Sequence, residues 1–397
     1  MNQPAPFGNY QPSPPQYQGW TSQGQYLTLR DGVRLAVQVI LPRNLPSGTR
    51  LPALLSQTRY WRAMALRPPL SWFLRGEDLN PDWRPFNPFF TGHGYALVKV
   101  DVRGTGASFG TWPYPWPEDS VQDQAEIVDW IVAQPWSNGR VGGYGISYLG
   151  TTAELLAVPN HPAVQALIPQ FNHPDPYTDI TLPGGLLNER FMTDWGYYDH
   201  MLDRNQVPRE LGILAPLIVA GVKPVDGPDG RRLLAEAVAA HEANGDVHRL
   251  IHGITFRDQP HPDLGVSVDD MAVHRHRAAI DRAAVPHLGW ASWMDAGTAD
   301  AVIRRFLSFD YAGHGVIGAW EHGGRFHASP FQRPGTPVSP SLPAQWGEML
   351  RFFDATLKDA DNGVRDGRAL YYYTLGAERW NVTDTWPPAG TRVERWY

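Results

Sequence analysis

A serine hydroxyl is a weak nucleophile until a base takes its proton, and that base is most often a histidine held in place by a carboxylate. Two glycine-flanked serines compete for the role. Gly106-Ala107-Ser108-Phe109-Gly110 matches the G-x-S-x-G pattern literally, whereas Gly145-Ile146-Ser147-Tyr148-Leu149-Gly150 misses it by one position. The pattern works only as a nucleophile elbow, in which a strand ends in a tight turn and a helix follows at once. Residues 141–145 form a glycine-rich strand candidate and residues 148–156 suit a helix. Ser108 instead leads toward the proline-rich Trp112-Pro113-Tyr114-Pro115-Trp116-Pro117. Structural context therefore selects Ser147 over the better pattern match, and the expected chemistry is acyl transfer through a covalent acyl-enzyme.

In a chain of this kind the acid and the base follow the serine in that order, on loops beyond later strands. Asp295 lies five residues past the apolar run 285–290, and His322 lies two past the run 316–320. Asp300 and Asp310 bracket a helix-like segment and read as its cap and exit. His314 precedes its strand, at the wrong end of a sheet, but His327 remains a second candidate base. Acyl transfer also needs donors aimed at the developing oxyanion. The backbone N–H of Tyr148 is one. The loop Gln57-Thr58-Arg59-Tyr60-Trp61 offers the Tyr60 hydroxyl as another, although a packing aromatic fits that position equally well. Trp61, Trp112 and Trp116 are candidates for an apolar substrate pocket, against the plainer reading of rigid loops packed by their own rings.

Other signals are weaker. Gly104-Thr105-Gly106 has the wrong third spacing for a dinucleotide loop. His274-Arg275-His276 suggests a metal, yet two rings at that spacing diverge on a helix, and no Walker sequence occurs. Neither cofactor nor metal is expected.

The elements that must position these residues alternate along the chain. Residues 26–30 and 34–41 read as a hairpin around Asp31-Gly32, followed by short apolar runs at 52–57, 96–100, 141–144 and 164–168. Between the runs 96–100 and 141–144, residues 118–134 carry Val121, Ala125, Val128 and Val132 at helical spacing, and Pro135 stops them. This is the rhythm of βαβ units, and it predicts an α/β doubly wound, mainly parallel sheet over residues 26–170. From 171 to 283 strand-like runs vanish and helical segments such as 231–243 alternate with loops, as in a helical insertion. The rhythm returns over 284–360, where 345–357 reads as a closing helix, and 369–375 is an aromatic strand candidate.

Composition bounds the rest. The net charge of −6 and the presence of only three lysines argue against nucleic acid as a partner. The absence of cysteine excludes disulfides and a thiol nucleophile. No run is long and apolar enough to span a membrane. Residues 1–20 are rich in Gln and Pro, without a basic start or apolar run, so 1–25 is expected to be a disordered lead-in and not a signal peptide. A cytoplasmic protein is the default.

Taken together, these motifs resemble the X-prolyl dipeptidyl-peptidase (S15) group with the cocaine-esterase and α-amino-acid ester hydrolases. The resemblance rests on Asp101-Val-Arg-Gly-Thr-Gly-Ala-Ser108, on residues 136–150 through Ser147, and on Gly289-Trp290 with Trp293-Met294-Asp295. Gly318-Ala-Trp-Glu-His322 and Phe353-Asp-Ala-Thr-Leu-Lys358 extend it, so that it covers roughly residues 26–390. It implies an α/β-hydrolase fold with a helical cap at 171–283 and a Ser147–His322–Asp295 triad. It also implies Tyr60 and Tyr148 as the oxyanion hole, and structural roles for Asp101 and Arg103. The substrate would be a small-molecule ester or a short peptide. Two departures stand out. The family ends in a jelly-roll domain, so 361–397 is expected to be its truncated start and the chain a fragment or shortened variant. The amino-acid ester hydrolases carry a carboxylate soon after the oxyanion tyrosine, where this chain has Trp61-Arg62. With Trp72 and Trp83 nearby, that change suggests an apolar or aromatic acyl group. An acyl esterase is the leading expectation; X-Pro peptidase activity and a non-catalytic binding protein of the same fold are the alternatives.

Overall fold

The computed structural model describes residues 7–76, 85–309, 313–364 and 367–396. Its centre is a ten-stranded sheet built from β1 (Trp20–Thr28), β2 (Arg34–Pro42), β3 (Leu51–Thr58), β5 (Ala96–Asp101), β6 (Ser137–Ile146), β7 (Val164–Gln170), β9 (His287–Ser292), β10 (Gly313–Gly318), β11 (Ala369–Thr374) and β12 (Arg379–Thr383). The spatial order is β1-β2-β5-β3-β6-β7-β9-β10-β11-β12. The run from β5 to β11 is parallel, while β1, β2 and β12 are attached antiparallel at the edges.

Buried on both faces, the central strands alternate their side chains between two helical layers, as the twofold repeat of a strand requires. Ala53, Leu55, Val98 and Val100 enter one core with Val121, Ile127, Val128 and Ile131 of α2 (Glu118–Val132) and Leu155 of α3 (Tyr148–Leu155). The intervening Leu54 and Leu97 enter the other, against Phe86 and Phe90 of α1 (Phe86–Gly92). That second core includes Met349, Leu350, Phe353 and Leu357 of α10 (Leu342–Leu357). Each such side chain removed from water contributes roughly 1.5–3 kcal/mol before the entropic cost of ordering it. The α9 helix (Thr298–Ser308) packs Val302 and Phe306 on Ala291 and Ile317.

The insertion between β7 and β9 holds α4 (Glu189–Asp203), α5 (Ala215–Ile218), α6 (Gly230–Ala240), α7 (Val247–Ile251) and α8 (Arg277–Ala283). It is not free of strand: β8 (Val219–Val222) pairs antiparallel with β4 (Met64–Leu66), which anchors the insertion to the loop beyond β3. A four-residue strand carries too few alternations to stand out from its helical surroundings in sequence.

Two boundaries differ from expectation. The strand β1 starts at Trp20, and Phe7 is buried against Trp290 and Trp380, with the Gly8 N–H donating to Glu348 Oε1 at 2.9 Å. Within the stretch 1–25, Phe7 is thus held by aromatic packing and residues 20–25 by pairing with β2, while 1–6 lie outside the described residues. Residues 361–397, expected to open a separate β-domain, contribute β11 and β12 to the main sheet, because β11 has a parallel partner ready in β10. Among the described residues no helix is long and apolar enough to cross a membrane.

Candidate active site

A doubly wound sheet gathers ligands outside the carboxyl ends of its strands, at the point where the strand order reverses. Here the chain moves from β3 outward to β5 and then returns to place β6 on the other side of β3. Tyr60 follows β3 and Ser147 follows β6, on adjacent strand ends. His173, Asp295 and His322 follow β7, β9 and β10 at the same edge.

Ser147 caps the turn between β6 and α3 with φ 61° and ψ −123°, a conformation that costs a side-chain-bearing residue free energy and is sustained by its surroundings. Its N–H donates to Gln170 O at 2.9 Å, and its carbonyl accepts from Gly150 and Thr151 as the helix begins. The turn is so tight that a Cβ on Gly145 would fall 2.4 Å from Leu149 Cβ. That contact is why glycine precedes the serine by two positions. By contrast, Ser108 is fully buried; its hydroxyl donates to Asp101 O at 2.6 Å and accepts from Ala36 N–H at 2.8 Å. Asp101 itself accepts from Arg62 and from Ala107 N–H, a buried structural knot.

His322 Nδ1 lies 2.9 Å from Asp295 Oδ2 and 3.0 Å from Oδ1, the geometry of a ring N–H held by a carboxylate. Their loops are tied by Ser292, whose hydroxyl donates to Trp320 O at 2.7 Å and accepts from the Trp320 and Met294 N–H groups. The rival His327 sits 3.6 Å from Glu378 and packs on the Tyr373 ring. His314 Nε2 is within 2.7 Å of Val364 O, and Asp300 lies in the first turn of α9. Asp310 is outside the described residues.

Ser147 borders a cleft of about 920 Å³ that is open to solvent. Its walls include Tyr60, Tyr148, Trp116 and His173 from the sheet side, with Phe191, Trp195 and Ile251 from the insertion. Among the described residues its lining contains no carboxylate, lysine or arginine. Burial keeps the Tyr60 hydroxyl well above its ordinary range, hence protonated, and Trp195 Nε1–H donates to the Tyr60 oxygen at 2.9 Å. The O–H of Tyr60 is thereby left to donate elsewhere. Trp195 lies 135 residues from Tyr60 in a helix of the insertion, so nothing local in the sequence announces it. Burial pushes His173 down to about 3; it feels the charges of Asp295 and His322, and its Nε2 has no hydrogen-bond partner among the described residues. It too went unmarked in the sequence, since a lone histidine after a strand resembles many core histidines.

Two of the three expected pocket tryptophans lie elsewhere. Trp61 is buried against the insertion with its Nε1–H donating to Leu202 O at 3.3 Å. Trp112 is fully buried, donates to the Tyr148 hydroxyl at 3.1 Å and has the Arg59 guanidinium 4.2 Å from its ring centre. Neither lines the cavity, because each ring is consumed in packing the layer behind it; Trp116 does line it, stacked on Tyr148 at 4.8 Å. Trp72 is exposed, and Trp83 lies outside the described residues. On the outer side of the insertion, Glu189, His248 and His252 converge as a group of metal-ligating side chains. His274 and His276 are not part of that group.

Comparison with known proteins follows the same lines. Residues 31–324 match the model of the family described as X-Pro dipeptidyl-peptidase (S15 family). A Mycobacterium bovis protein named "Putative serine esterase" is 40% identical over 95% of this chain and 63% of its own length. The Rhodococcus "Cocaine esterase" is 25% identical over 93% of this chain and 60% of its own. A CocE/NonD family hydrolase of Staphylococcus aureus superposes with a TM-score of 0.59 at 20% identity, covering 93% of this chain and 56% of that one, which shows a shared fold. The chain thus spans less than two thirds of the length of these relatives.

Proposed function

The chain belongs to the X-Pro dipeptidyl-peptidase (S15) family, and from that premise we propose that it is a serine esterase acting on esters with a neutral, apolar acyl group. The observation that carries this reading is the setting of Ser147. It stands in a strained elbow on the wall of an apolar cavity whose described lining offers no carboxylate to a substrate ammonium. An X-Pro dipeptidyl-peptidase has to accommodate a free amino terminus, and such a wall leaves that charge uncompensated.

In the proposed reaction His322 takes the proton of Ser147 Oγ, while Asp295 accepts from Nδ1–H and fixes the tautomer. The Oγ attacks the ester carbonyl carbon. The oxyanion accepts hydrogen bonds from the Tyr60 hydroxyl and the Tyr148 backbone N–H, donors set in place before the reaction. Collapse of the tetrahedral adduct breaks the bond to the alkoxide, which leaves as alcohol with the proton held by His322. Water then attacks the acyl-enzyme, giving its proton to His322, and the carboxylic acid departs as Ser147 regains its hydrogen. Trp116 and the aromatic residues of α4 supply apolar surface to the acyl chain.

The test compares p-nitrophenyl butyrate with Ala-Pro-p-nitroanilide on the intact chain and on Ser147→Ala. The ester should be turned over in preference to the anilide, and the substitution should lower kcat by roughly 10⁴-fold or more with the fold retained. A fluorophosphonate probe should label Ser147 in peptide mass spectra. Preference for the anilide would replace the esterase with a peptidase. Label on Ser108, or a folded chain inert to both substrates and the probe, would sink the mechanism.

A further inference from the structure

Glu189 opens α4, and its carboxylate meets two imidazoles from α7 and its cap. His248 Nε2 lies 2.7 Å from Glu189 Oε1, His252 Nε2 lies 3.2 Å from Oε2, and the two Nε2 atoms are 3.1 Å apart. His248 and His252 are four residues apart, so successive turns point both rings the same way, the spacing that lets one helix offer two imidazoles to one metal. Donor atoms at 2.0–2.2 Å from a shared tetrahedral cation stand roughly 3.3 Å from one another, close to what these three side chains present. The set is also chemically coherent: two imidazole nitrogens and one carboxylate suit zinc or a neighbouring borderline divalent ion, and leave one position for solvent. All three side chains remain accessible, with 34–53% of their surface exposed.

The backbone is arranged to bring the two helices together at this point. A Cβ on Gly196 of α4 would sit 3.0 Å from His248 Cβ, so the glycine lets α7 lie close against α4. Asp246 caps α7, accepting from the N–H groups of His248 and Arg249. Thr193 Oγ1 donates to Glu189 Oε1 at 3.3 Å and restrains the carboxylate. The same two helices present Phe191, Met192 and Trp195 from α4, and Leu250 and Ile251 from α7, to the cavity beside Ser147.

We propose that Glu189, His248 and His252 form a binding site for a divalent transition-metal cation of the zinc class, which cross-links α4 to α7 and rigidifies the outer wall of the cavity. A metal-bound imidazole must present an unprotonated Nε2, so the cation competes with protons for His248 and His252 and binding weakens in acid. The assignment does not depend on the identity of the nucleophile, and its test reads no catalytic activity.

The test titrates the metal-free chain with Zn²⁺ by calorimetry and with Co²⁺ by its visible absorption, alongside His252→Ala, His248→Ala and Glu189→Gln. All three substituted side chains are partly exposed, and thermal unfolding without metal verifies folding. The wild type should bind one equivalent more than each variant. Zn²⁺ should raise its thermal midpoint, reversibly with chelator, and should slow amide exchange in both α4 and α7. Equal stoichiometry across all proteins, or no binding by the wild type, overturns the site. Binding that survives Glu189→Gln undiminished, with protection confined to α7, overturns the cross-link.

Discussion

At the scale of single residues, the proposed chemistry turns on where hydrogen-bonding capacity is left over. Ser108 matches the nucleophile pattern better than Ser147, yet both its donor and its acceptor are used inside the core. Tyr60 illustrates the opposite case. Its oxygen already accepts from Trp195, so its hydrogen is the one free to meet an oxyanion. Tyr60→Phe is therefore expected to reduce kcat for a p-nitrophenyl ester by about 10²–10³-fold with little change in KM, the usual consequence of losing one oxyanion donor. Trp195→Phe should keep the hydroxyl and lose its orientation, giving a smaller fall in the same parameter. A Tyr60→Phe enzyme as fast as wild type would remove the tyrosine from the mechanism. Steady-state kinetics on both variants decides.

At the scale of elements, the insertion is fastened to the face that carries Ser147 through the loop beyond β3. Arg59 is wholly buried; one guanidinium nitrogen contacts Asp199, and Nη2 lies 3.0 Å from Asp203 Oδ1, both on α4. Its burial would disfavour its charge, but the two carboxylates hold its pKa above the ordinary value. Arg59→Leu would leave two carboxylates facing an apolar side chain, and breaking a buried ion pair from one side costs about 3–5 kcal/mol. We expect urea unfolding of this variant to shift by that order, with the proposed esterase activity falling too because Tyr60 is adjacent. An unchanged midpoint would show that α4 is held by other contacts. The elements themselves were readable wherever periodicity was strong: the helix seen over 118–134 in sequence is α2, and the apolar runs are β3, β5, β6 and β7. Elements escaped where the signal was short or long-range, as with β8, and with Trp20, whose strand begins in a Gln-rich stretch.

At the scale of the whole molecule, buried neutral histidines tie stability to pH. Burial pushes His287 from 6.5 down to about 4 and His173 down to about 3, so the folded chain refuses protons that the unfolded chain accepts. Their contribution is full above pH 6.5 and is lost as pH falls from there toward about 4 for His287 and about 3 for His173. For His287 alone the loss is on the order of 3 kcal/mol across that window. Thermal midpoints measured from neutral pH into this range should fall steadily. His287→Asn keeps an N–H for Val285 O, which the imidazole Nδ1 approaches at 2.6 Å, but cannot titrate. This variant should start lower and decline less steeply. An identical slope would assign the acid lability to other groups.

Sequence alone determined the chemistry on offer and the order of the parts. Glycine at 145 and a helix-compatible run after 147 mark an elbow by local sterics, and Asp295 and His322 mark themselves by following apolar runs. These are short-range signals, and they suffice for the α/β alternation and for the candidate triad. Only tertiary structure decided which aromatics face the cavity beside Ser147, since Trp61 and Trp112 are indistinguishable from Trp116 until the layer behind Tyr148 is packed. It alone brought Trp195 to Tyr60, and Glu189 to two histidines some 60 residues on. Such pairings depend on how one helix of the insertion lies on another and on the sheet, and no spacing along the chain records that.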